Sequence, residues 1–425
     1  MRIVTSIFCG IVLASCSHVP GPSPLPAGVS NGVPVPDAAG FTHLFSFSGV
    51  DGAHPYASLT DVNGTLIGTT SWGGSGKCKS DFDGPGCGTV FKITTHGTQT
   101  VLYNFKGYPT DGAYPQAGLT NVNGSLYGTT TEGGDTGCGP FPGCGTVFKT
   151  TTSGAESVLY SFKGGTTDGS YPLATLLDVK GKLYGTTDAG ASIDDGTVFE
   201  MTTSGSERVL YGFDSRNAGE GPDAGLINVG GVLYSTTSLG GAHGAGVAFK
   251  ITTSGNERTI YSFKALHGQE PFAGLTDVNG TLYGTTYFGG GHHKGTLFKI
   301  TTAGTETVLH SFEGGADGAG PVASLTDVNG ALYGVTSAGG GSDKCYIIYS
   351  YNGCGTIFKI TTSGIETVLY RFKGGKDGAY PNASLTEVNG TLFGTTSWGG
   401  SGSCKASDPY HQAIGCGTVF KLSRD

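Results

Sequence analysis

A unit of about 50 to 60 residues recurs seven times along the chain, and this repetition constrains the fold more than any other feature. Each unit starts close to a proline in the pattern P-x-A-x-L, and these prolines are Pro55, Pro115, Pro172, Pro222, Pro271, Pro321 and Pro381. The units therefore begin near residues 52, 112, 169, 219, 268, 318 and 378. Because one unit of this size cannot bury its apolar side chains alone, neighbouring units have to pack against each other.

Each unit contains four short runs of β-type residues, which we name A to D in chain order. Run A ends at Asn-Gly, B is L-Y-G-T-T, C is G-T-V-F-K and D is T-V-L-Y-S-F, each with small variations. Asn-Gly between alternating apolar runs is a strong hairpin signal. Both faces of run D carry apolar residues, so we expect neighbouring sheets to cover both faces. Seven four-stranded units of this kind predict an all-β fold, a seven-bladed β-propeller.

The two ends of the chain distinguish a closed ring from a linear β-solenoid, which is the alternative architecture. The first run, at 44–47, matches D, whereas the last run, at 417–423, matches C. The last unit therefore lacks a D strand, and we expect the N-terminal strand to complete the last blade. A solenoid would leave both ends open and in need of caps, and its repeats are usually shorter.

Composition excludes several other classes of protein. Glycine contributes 78 of the 425 residues, which argues against long helices. The sequence lacks the G-X-Y period that is typical of collagen. The chain contains 20 tyrosines and 22 phenylalanines, which is too aromatic for a chain that is disordered throughout. The formal net charge of −8 argues against nucleic acid or anionic lipid as a partner.

The N-terminus resembles a bacterial lipoprotein signal. A short apolar stretch ends in L-A-S-C, which resembles the lipobox, and its cysteine, Cys16, would become the lipidated first residue. This predicts a signal peptide at 1–15, a Pro/Gly-rich tether at 16–40 and the propeller at 41–425. The lipid on Cys16 would contact the membrane, and Ser17 favours an outer-membrane or surface location in the cell envelope. An ordinary secretory signal with a chance cysteine is the alternative.

The repeat itself resembles a named family. The pattern P-x-A-x-L-x-D-V-N-G-x-L-Y-G-T-T, followed by G-G and G-T-V-F-K-I-T-T-x-G, is similar to the GloVer tandem repeat and covers 41–425. The resemblance implies an extracytoplasmic, surface-attached protein whose anchoring device varies between members, and it implies no established activity. Three units depart from the pattern, at Val335, Glu200 and 246–249, and we expect them to pack slightly differently.

Eight of the ten cysteines form four local pairs, each between runs B and C of one unit. Their spacing is wider than in most zinc sites and an exported compartment is oxidising, so we expect disulfides. The expected bonds are Cys78–Cys87, Cys138–Cys144, Cys345–Cys354 and Cys404–Cys416. They belong to units 1, 2, 6 and 7, which are consecutive in a closed ring. We therefore expect long, disulfide-closed loops over four blades and a lower opening over the other three, on the end that carries the B–C and D–A loops.

Aromatic residues occupy an equivalent position after run B in three units. Trp72 and Trp398, the only tryptophans, occupy it in units 1 and 7, and Phe288 occupies it in unit 5. These positions have two interpretations, an aromatic surface for a sugar ring or another apolar ligand, or packing beneath the long loops against the disulfides, and we favour the packing. The Asp-Gly steps of the D–A loops have two interpretations, a carboxylate ring for cations or simple turns, and we favour the turns.

No nucleophile-elbow, zinc-protease or P-loop motif occurs, and we expect no cofactor and no metal ion. His292 and His293 have no carboxylate or cysteine at ligand spacing, so we interpret them as a loop tip. The sequence favours a monomeric, non-catalytic binding protein whose loops contact a glycan or protein ligand. Two alternatives stay open: a lyase or hydrolase acting on polysaccharide at the central mouth, and a scaffold subunit of an envelope complex.

Overall fold

The computed structural model describes residues 40–80, 84–135, 138, 142–214, 218–345, 351–404 and 415–424. The expected signal peptide, Cys16 and nearly all of the tether lie outside the described residues. The described residues form one compact unit of short strands, with one 3₁₀ turn at Gly375–Asp377. Among them, no helix is long and apolar enough to cross a bilayer.

Seven antiparallel sheets of four strands each make up the molecule, and each sheet is one blade. The A strands are Thr60–Val62, Thr120–Val122, Leu177–Val179, Ile227–Val229, Thr276–Val278, Thr326–Val328 and Thr386–Val388. The B strands are Thr65–Thr70, Ser125–Thr130, Lys182–Thr187, Val232–Thr237, Thr281–Thr286, Ala331–Thr336 and Thr391–Thr396. The C strands are Thr89–Thr94, Thr146–Thr150, Thr197–Thr202, Val247–Thr252, Thr296–Thr301, Thr356–Thr361 and Thr418–Ser423. The D strands of blades 1 to 6 are Gln99–Asn104, Glu156–Ser161, Glu207–Gly212, Glu257–Ser262, Glu306–Ser311 and Glu366–Arg371.

Three pairs of two-residue strands lie in the loops between these elements. They are Lys79–Ser80 with Gly84–Pro85, Gly112–Ala113 with Glu132–Gly133, and Gly169–Ser170 with Ala189–Gly190. They join loops and leave the four-stranded pattern of the blades unchanged.

The N-terminal strand closes the ring, as the ends of the sequence predict. Phe41–Ser46 pairs with Thr418–Ser423 and so becomes the D strand of blade 7. Each A strand contacts the A strands of both neighbouring blades, including that of blade 7 with that of blade 1. Thr386 donates a hydrogen bond across this last interface to the carbonyl of Leu59, at 2.6 Å. The A strands therefore form the inner circle of a closed, seven-bladed β-propeller.

Pairs of phenylalanines fill all seven interfaces between blades. The phenylalanine that follows each D strand packs edge-to-face on the C-strand phenylalanine of the next blade, with ring centroids 4.9–5.4 Å apart. All fourteen side chains are 0 % exposed. The pairs are Phe47–Phe91, Phe105–Phe148, Phe162–Phe199, Phe213–Phe249, Phe263–Phe298, Phe312–Phe358 and Phe372–Phe420. The repeated phenylalanines of runs C and D thus form the core, and the pair Phe47–Phe91 fills the interface between blade 7 and blade 1.

Threonines of the B strands add hydrogen bonds at the same interfaces. Thr69 of blade 1 donates to the carbonyl of Ala117 in blade 2, at 3.0 Å, and all other blades except blade 6 have an equivalent bond. Val335 stands at this position in blade 6 and has no donor. In blade 3, Glu200 replaces the usual lysine and forms an ion pair with Arg208, at 2.9 Å. These departures from the repeat change single contacts and leave the blades intact.

The four expected disulfides are present. Cys78–Cys87, Cys138–Cys144, Cys345–Cys354 and Cys404–Cys416 each close a loop between a B strand and the following C strand. None of them links two strands of a blade or two blades, so they constrain loops and the phenylalanine core holds the ring.

Removal of one disulfide is therefore expected to lower stability without unfolding the propeller. In the chain-entropy model, a short loop such as that between Cys345 and Cys354 contributes about 2–3 kcal/mol. For the Cys345→Ser/Cys354→Ser variant we expect the Tm to fall by about 2–6 °C, with an unchanged far-UV circular dichroism spectrum at 25 °C. Loss of the β-sheet spectrum at that temperature would contradict this division of roles.

Candidate functional site

The D–A and B–C loops lie at the same end of the ring, which we call the loop face. In every blade, one residue of the D–A loop forms an antiparallel bridge with the second residue after strand B. The bridged pairs are Ala53–Trp72, Ala113–Glu132, Ser170–Ala189, Glu220–Leu239, Gln269–Phe288, Ala319–Ala338 and Ala379–Trp398. The A–B and C–D turns lie at the other end, the opposite face. The two kinds of loop share one rim, as the sequence predicts.

The disulfide-closed loops cover one side of the loop face. They belong to blades 6, 7, 1 and 2, which are consecutive in the ring. Each packs on the next D–A loop, since a Cβ added to Gly374 would lie 3.0 Å from both sulfurs of Cys345–Cys354. The B–C loops of blades 3, 4 and 5 are short, at 188–196, 238–246 and 287–295. The loop face is therefore lopsided, with its lower side over blades 3 to 5.

The two tryptophans pack beneath the long loops. Trp398 is 4 % exposed and its ring lies 4.1 Å from that of His54, so it offers no open face to a ligand. Trp72 is partly buried against the ring of Tyr114, with centroids 4.2 Å apart. Phe288 is partly buried in blade 5, with its ring centroid 4.6 Å from that of Tyr287. The structure thus separates Phe288 from the tryptophans, and a ligand role for the three residues stays a prediction.

The aspartates of the Asp-Gly steps tie the D–A loops together. Asp111 accepts hydrogen bonds from the Tyr103 hydroxyl and the backbone amides of Lys106 and Gly112, at 2.7–2.8 Å. Asp168 has the same three kinds of partner in the next blade. Because these carboxylates are already occupied by donors of their own loops, the structure supports their interpretation as turn residues.

Buried glutamates next to these loops make stability depend on pH. Glu156, Glu207 and Glu257 each begin a D strand, and burial raises the pKa of each to about 7. A glutamate in an unfolded chain titrates near pH 4.3, so the folded protein holds extra protons between about pH 4.5 and 7. The free energy of unfolding therefore decreases as the pH rises through this window.

We expect the Tm to be higher at about pH 5.5 than at about pH 8, by roughly 2–6 °C. Differential scanning fluorimetry across this range measures the difference. The Glu207→Gln variant keeps a neutral side chain at every pH, so its Tm should depend less on pH. A wild-type Tm that rises from pH 5.5 to pH 8 would show that the glutamates are ionised in the folded protein.

The innermost part of the loop face is formed by the middle residue of each P-x-A motif, and we call these seven residues the mouth. Burial alternates along this segment in blade 1, because Ala57 and Leu59 are buried whereas Tyr56 and Ser58 are partly exposed, and all seven mouth residues are partly exposed. The mouth consists of Tyr56, Gln116, Leu173, Asp223, Phe272, Val322 and Asn382. Unlike the loops around it, the mouth has a different residue in each blade.

Two carboxylates meet where blade 3 adjoins blade 4. Asp188 directly follows strand B of blade 3, where blades 1, 2, 4, 6 and 7 have a hydroxyl that donates to a backbone carbonyl. Asp223 belongs to the mouth of blade 4. A Cβ added to Gly221 would lie 2.8 Å from Ser238 Oγ, 3.3 Å from Asp188 Oδ1 and 3.7 Å from Asp223 Oδ2. Three oxygens of three different segments therefore converge beside this glycine.

The electrostatic environment of this pair is strongly negative. Burial raises the pKa of Asp188 most, a hydrogen bond with Asp223 lowers it, and the charges of Asp194 and Glu220 raise it further. Burial and then the charge of Asp188 raise the pKa of Asp223 well above its usual range. In the adjoining loops, burial also raises the pKa of Glu270 to about 7. The lower side of the loop face thus concentrates carboxyl groups that favour a proton or a cation.

Family membership follows from sequence comparison. Residues 34–142 and 139–349 match the model of the Gloeobacter/Verrucomicrobia repeat. The chain belongs to this family. In this Gloeobacter/Verrucomicrobia repeat protein, each of the seven sequence units of about 50 to 60 residues forms one propeller blade. A search of curated protein sequences finds no significant match.

Solved structures with a similar course of the chain are other propellers of low sequence identity. A putative 6-phosphogluconolactonase from Bacteroides uniformis is 14 % identical, with a TM-score of 0.46 over 74 % of this chain and 83 % of that one. A puromycin hydrolase is 12 % identical, with a TM-score of 0.47 over 88 % of this chain and 57 % of that one. Such values concern the fold alone, so neither activity carries over to the Gloeobacter/Verrucomicrobia repeat protein.

Exposed apolar side chains of the Gloeobacter/Verrucomicrobia repeat protein concentrate on the loop face. Among the described residues, six large apolar side chains are exposed, and five of them lie in D–A or B–C loops. These five are Val50, Tyr108, Ile193, Leu239 and Leu266. The sixth, Ile365, is 69 % exposed in a C–D turn of the opposite face. The exposed apolar side chains of the described residues therefore lie mainly on the loop face.

A cavity also opens on the opposite face. It has a volume of about 470 Å³ and is lined by Val62, Ile67, Lys92 and Thr152, among others. Ile67 stands where five other blades have a tyrosine and blade 7 has a phenylalanine, so the smaller side chain leaves the space. Because its walls are mainly threonines, this cavity has none of the converging charges found at the mouth.

A second cluster of ionisable side chains lies between blades 5 and 6. His310, Asp317 and Glu366 place potential metal-ligating atoms within 4.8 Å of one another. In this cluster His310 Nε2 lies 3.2 Å from Asp317, and it takes the position that Tyr103 has beside Asp111 in blade 1. The cluster is thus a variant of a contact that other blades make without a metal ion.

Proposed function

We propose that this protein is a lipid-anchored, extracytoplasmic binding protein that holds a glycan on the loop face of its propeller. The observation that supports this most is the break in sevenfold symmetry at Asp188 and Asp223. Carboxylate oxygens accept hydrogen bonds from sugar hydroxyls, and a few polar groups in a partly apolar cleft are typical of small-ligand sites. Asp223 is the only acidic residue among the seven mouth positions, so the repeat itself does not require a carboxyl group there.

Aromatic side chains stand beside the carboxylates, on the lower side of the loop face. Phe272 of the mouth packs edge-to-face with Tyr287, at 5.9 Å between centroids, and both are partly buried. Phe288 packs on Tyr287 in the same group. Aromatic rings supply the apolar contact area that sugar rings need, while the neighbouring carboxylates supply acceptors. The long loops of blades 6, 7, 1 and 2 would bound the ligand on the other side.

The expected cellular location supports a ligand outside the cytoplasm. Four disulfides indicate an oxidising, extracytoplasmic compartment. The lipid on Cys16 would hold the protein at the membrane, and the tether would let the propeller stand away from it. A Cys16→Ser variant recovered from the membrane fraction in the same amount as the wild type would exclude this anchor.

An array of neutral, acidic and amino polysaccharides, probed with residues 41–425, tests the proposal. We expect at least one polysaccharide to bind and the Leu239→Ser/Leu266→Ser variant, altered on the loop face, to bind about tenfold more weakly. Ile365→Ser changes an equally exposed apolar residue on the opposite face and should bind like the wild type. Absence of binding to every polysaccharide, or loss of binding in the Ile365→Ser variant alone, would refute the proposal.

A lyase or hydrolase acting on polysaccharide is the second candidate function. It is favoured by one observation, namely two adjacent carboxyl groups whose pKa values are raised by burial, that of Asp223 also by the charge of Asp188. Such pairs serve as acid and base in enzymes that cleave glycosidic bonds. Release of new reducing ends from a bound polysaccharide, lost in the Asp188→Asn variant, would identify an enzyme. Binding without release would favour the non-catalytic role.

A further inference from the structure

The carboxylates of Asp188 and Asp223 lack a positively charged partner. Within the described part of the chain, no lysine, arginine or histidine contributes to the pKa of either residue, and the ion pairs of Lys182, Arg208, His267, His292, His310 and Arg424 involve other carboxylates. Two carboxylates at close range repel each other, and burial strengthens this repulsion because the surroundings are less polar than water. The arrangement is stable only if a proton or a cation compensates the charge.

Asp223 is the less satisfied of the two residues. Both of its carboxylate oxygens are shielded from solvent, and neither has a hydrogen-bond partner. A buried polar atom without a partner costs about 1–3 kcal/mol, and more if it is charged. The Ser238 hydroxyl donates its proton to the carbonyl of Gly221, at 3.1 Å, and it lowers the pKa of Asp223 only against the larger effect of burial. The lone pairs of the Ser238 hydroxyl oxygen can therefore accept a hydrogen bond or coordinate a cation.

The space beside Gly221 differs from the equivalent space in the other blades. In five blades a histidine, tyrosine or glutamate side chain stands at the position of Gly221. Blade 6 also has a glycine there, Gly320, but a Cβ added to it would contact ring carbons of Tyr287 and Tyr351, at 2.7 and 3.1 Å, as well as Ser337 Oγ, at 3.1 Å. At Gly221 the nearest side-chain atoms are all oxygens. Among the seven equivalent positions, Gly221 is therefore the only one with a glycine whose nearest side-chain atoms are all oxygens.

We propose that Asp188, Asp223 and Ser238 bind a hard divalent cation, of the calcium or magnesium type, at the mouth of the propeller. The donor set contains two carboxylates and one hydroxyl, with no thiol and no imidazole, and hard cations prefer oxygen ligands of this kind. Calcium takes six to eight oxygens and magnesium six, so water or a ligand's hydroxyls would complete the shell. The cation supplies the positive charge that the chain itself does not supply.

The cluster of His310, Asp317 and Glu366 provides the internal control. It offers as many ligand atoms as the mouth, but one of them is an imidazole that is already hydrogen-bonded to Asp317. An Asp317→Asn variant therefore removes one carboxylate from the competing cluster and leaves the mouth unchanged. Both Asp317→Asn and Asp223→Asn replace an aspartate with an asparagine, but only Asp223→Asn changes the mouth.

Isothermal titration of calcium chloride and magnesium chloride into residues 17–425, freed of metal with a chelator, tests the proposal. At constant ionic strength we expect one ion to bind, with a Kd on the order of 10⁻⁴ to 10⁻³ M, as in other extracellular modules. About 10 mM of the preferred ion should raise the Tm by about 2–5 °C. Asp188→Asn and Asp223→Asn should each weaken binding at least about tenfold, whereas Asp317→Asn should bind like the wild type.

The Tm without added ion shows that the variants are folded. It should be equal to or higher than that of the wild type for Asp223→Asn, because the substitution removes a repelling charge. Absence of heat and of a Tm shift with both ions, or loss of binding in Asp317→Asn only, would overturn the proposal. The cation titration and the glycan array are independent experiments. A negative titration would refute the cation site and would leave the proposed glycan binding to be decided by the array.

Discussion

A variant that begins at Ser48 is expected to lose the native fold. It lacks Phe41–Ser46, so strand Thr418–Ser423 becomes an unpaired edge and blade 7 has three strands. It also lacks Phe47, which is 0 % exposed and packs on Phe91 of blade 1. Removal of the phenylalanine alone costs about 3–5 kcal/mol, and loss of the strand adds the hydrogen bonds of a whole ladder. Since domains are usually stable by only 5–15 kcal/mol, we expect an unfolded or aggregated protein.

A matched variant that begins at Gly40 keeps the closing strand and removes only the segment before it. We expect this variant to elute as a folded protein in gel filtration, with a cooperative thermal transition and resistance to limited proteolysis. The variant that begins at Ser48 should show none of the three. An equal Tm for both variants would mean that the ring is stable without its seventh D strand, contrary to the role assigned to Phe41–Ser46.

The Phe148→Ala variant is expected to lose about 3–5 kcal/mol of the free energy of unfolding. Phe148 is 0 % exposed between blades 1 and 2, and its ring centroid lies 5.0 Å from that of Phe105 in an edge-to-face arrangement. The substitution removes the buried apolar surface of the phenylalanine ring and leaves a cavity between the two blades. The closely packed sheets on both sides cannot move enough to fill this cavity. Urea unfolding followed by intrinsic fluorescence measures the change as a lower midpoint.

Two further variants make this measurement specific. Ile365→Ala removes an apolar side chain that is 69 % exposed, so it should change the free energy of unfolding by no more than about 0.5 kcal/mol. The double variant Phe105→Ala/Phe148→Ala should lose less free energy of unfolding than the sum of the two single variants. Each single substitution already removes the edge-to-face interaction, which contributes about 0.5–1.5 kcal/mol, so the sum counts this interaction twice. Strictly additive losses would show that the two rings do not interact.

The fold could be predicted from the sequence because its information is local and repeated. Each hairpin has its own turn signal, and the phenylalanines of runs C and D recur in every unit at the positions that form the interfaces. The closure followed from comparison of two short runs at the ends of the chain. The disulfides were predictable for the same reason, since each joins cysteines of one loop.

The candidate site was not predicted, because its residues belong to different repeats. Asp188 and Asp223 lie in separate units, and each looks like an ordinary loop residue by itself. The signal was present in the comparison of units, since Asp188 replaces a hydroxyl residue and Asp223 has no acidic counterpart at the other six mouth positions. The burial of Trp398 was also hidden, because His54, which covers it, lies at the other end of the chain. Long-range packing of this kind has no local sequence pattern.

Hydrogen–deuterium exchange with and without the best-binding polysaccharide tests most directly whether the loop face is the functional surface. The account predicts slower exchange in the B–C loops of blades 3 and 4, at 188–196 and 238–246, and in the D–A loop that contains Asp223. It predicts no change in the A–B turns of the opposite face. Slower exchange confined to the opposite face, around Val62 and Lys92 beside its cavity, would contradict the account.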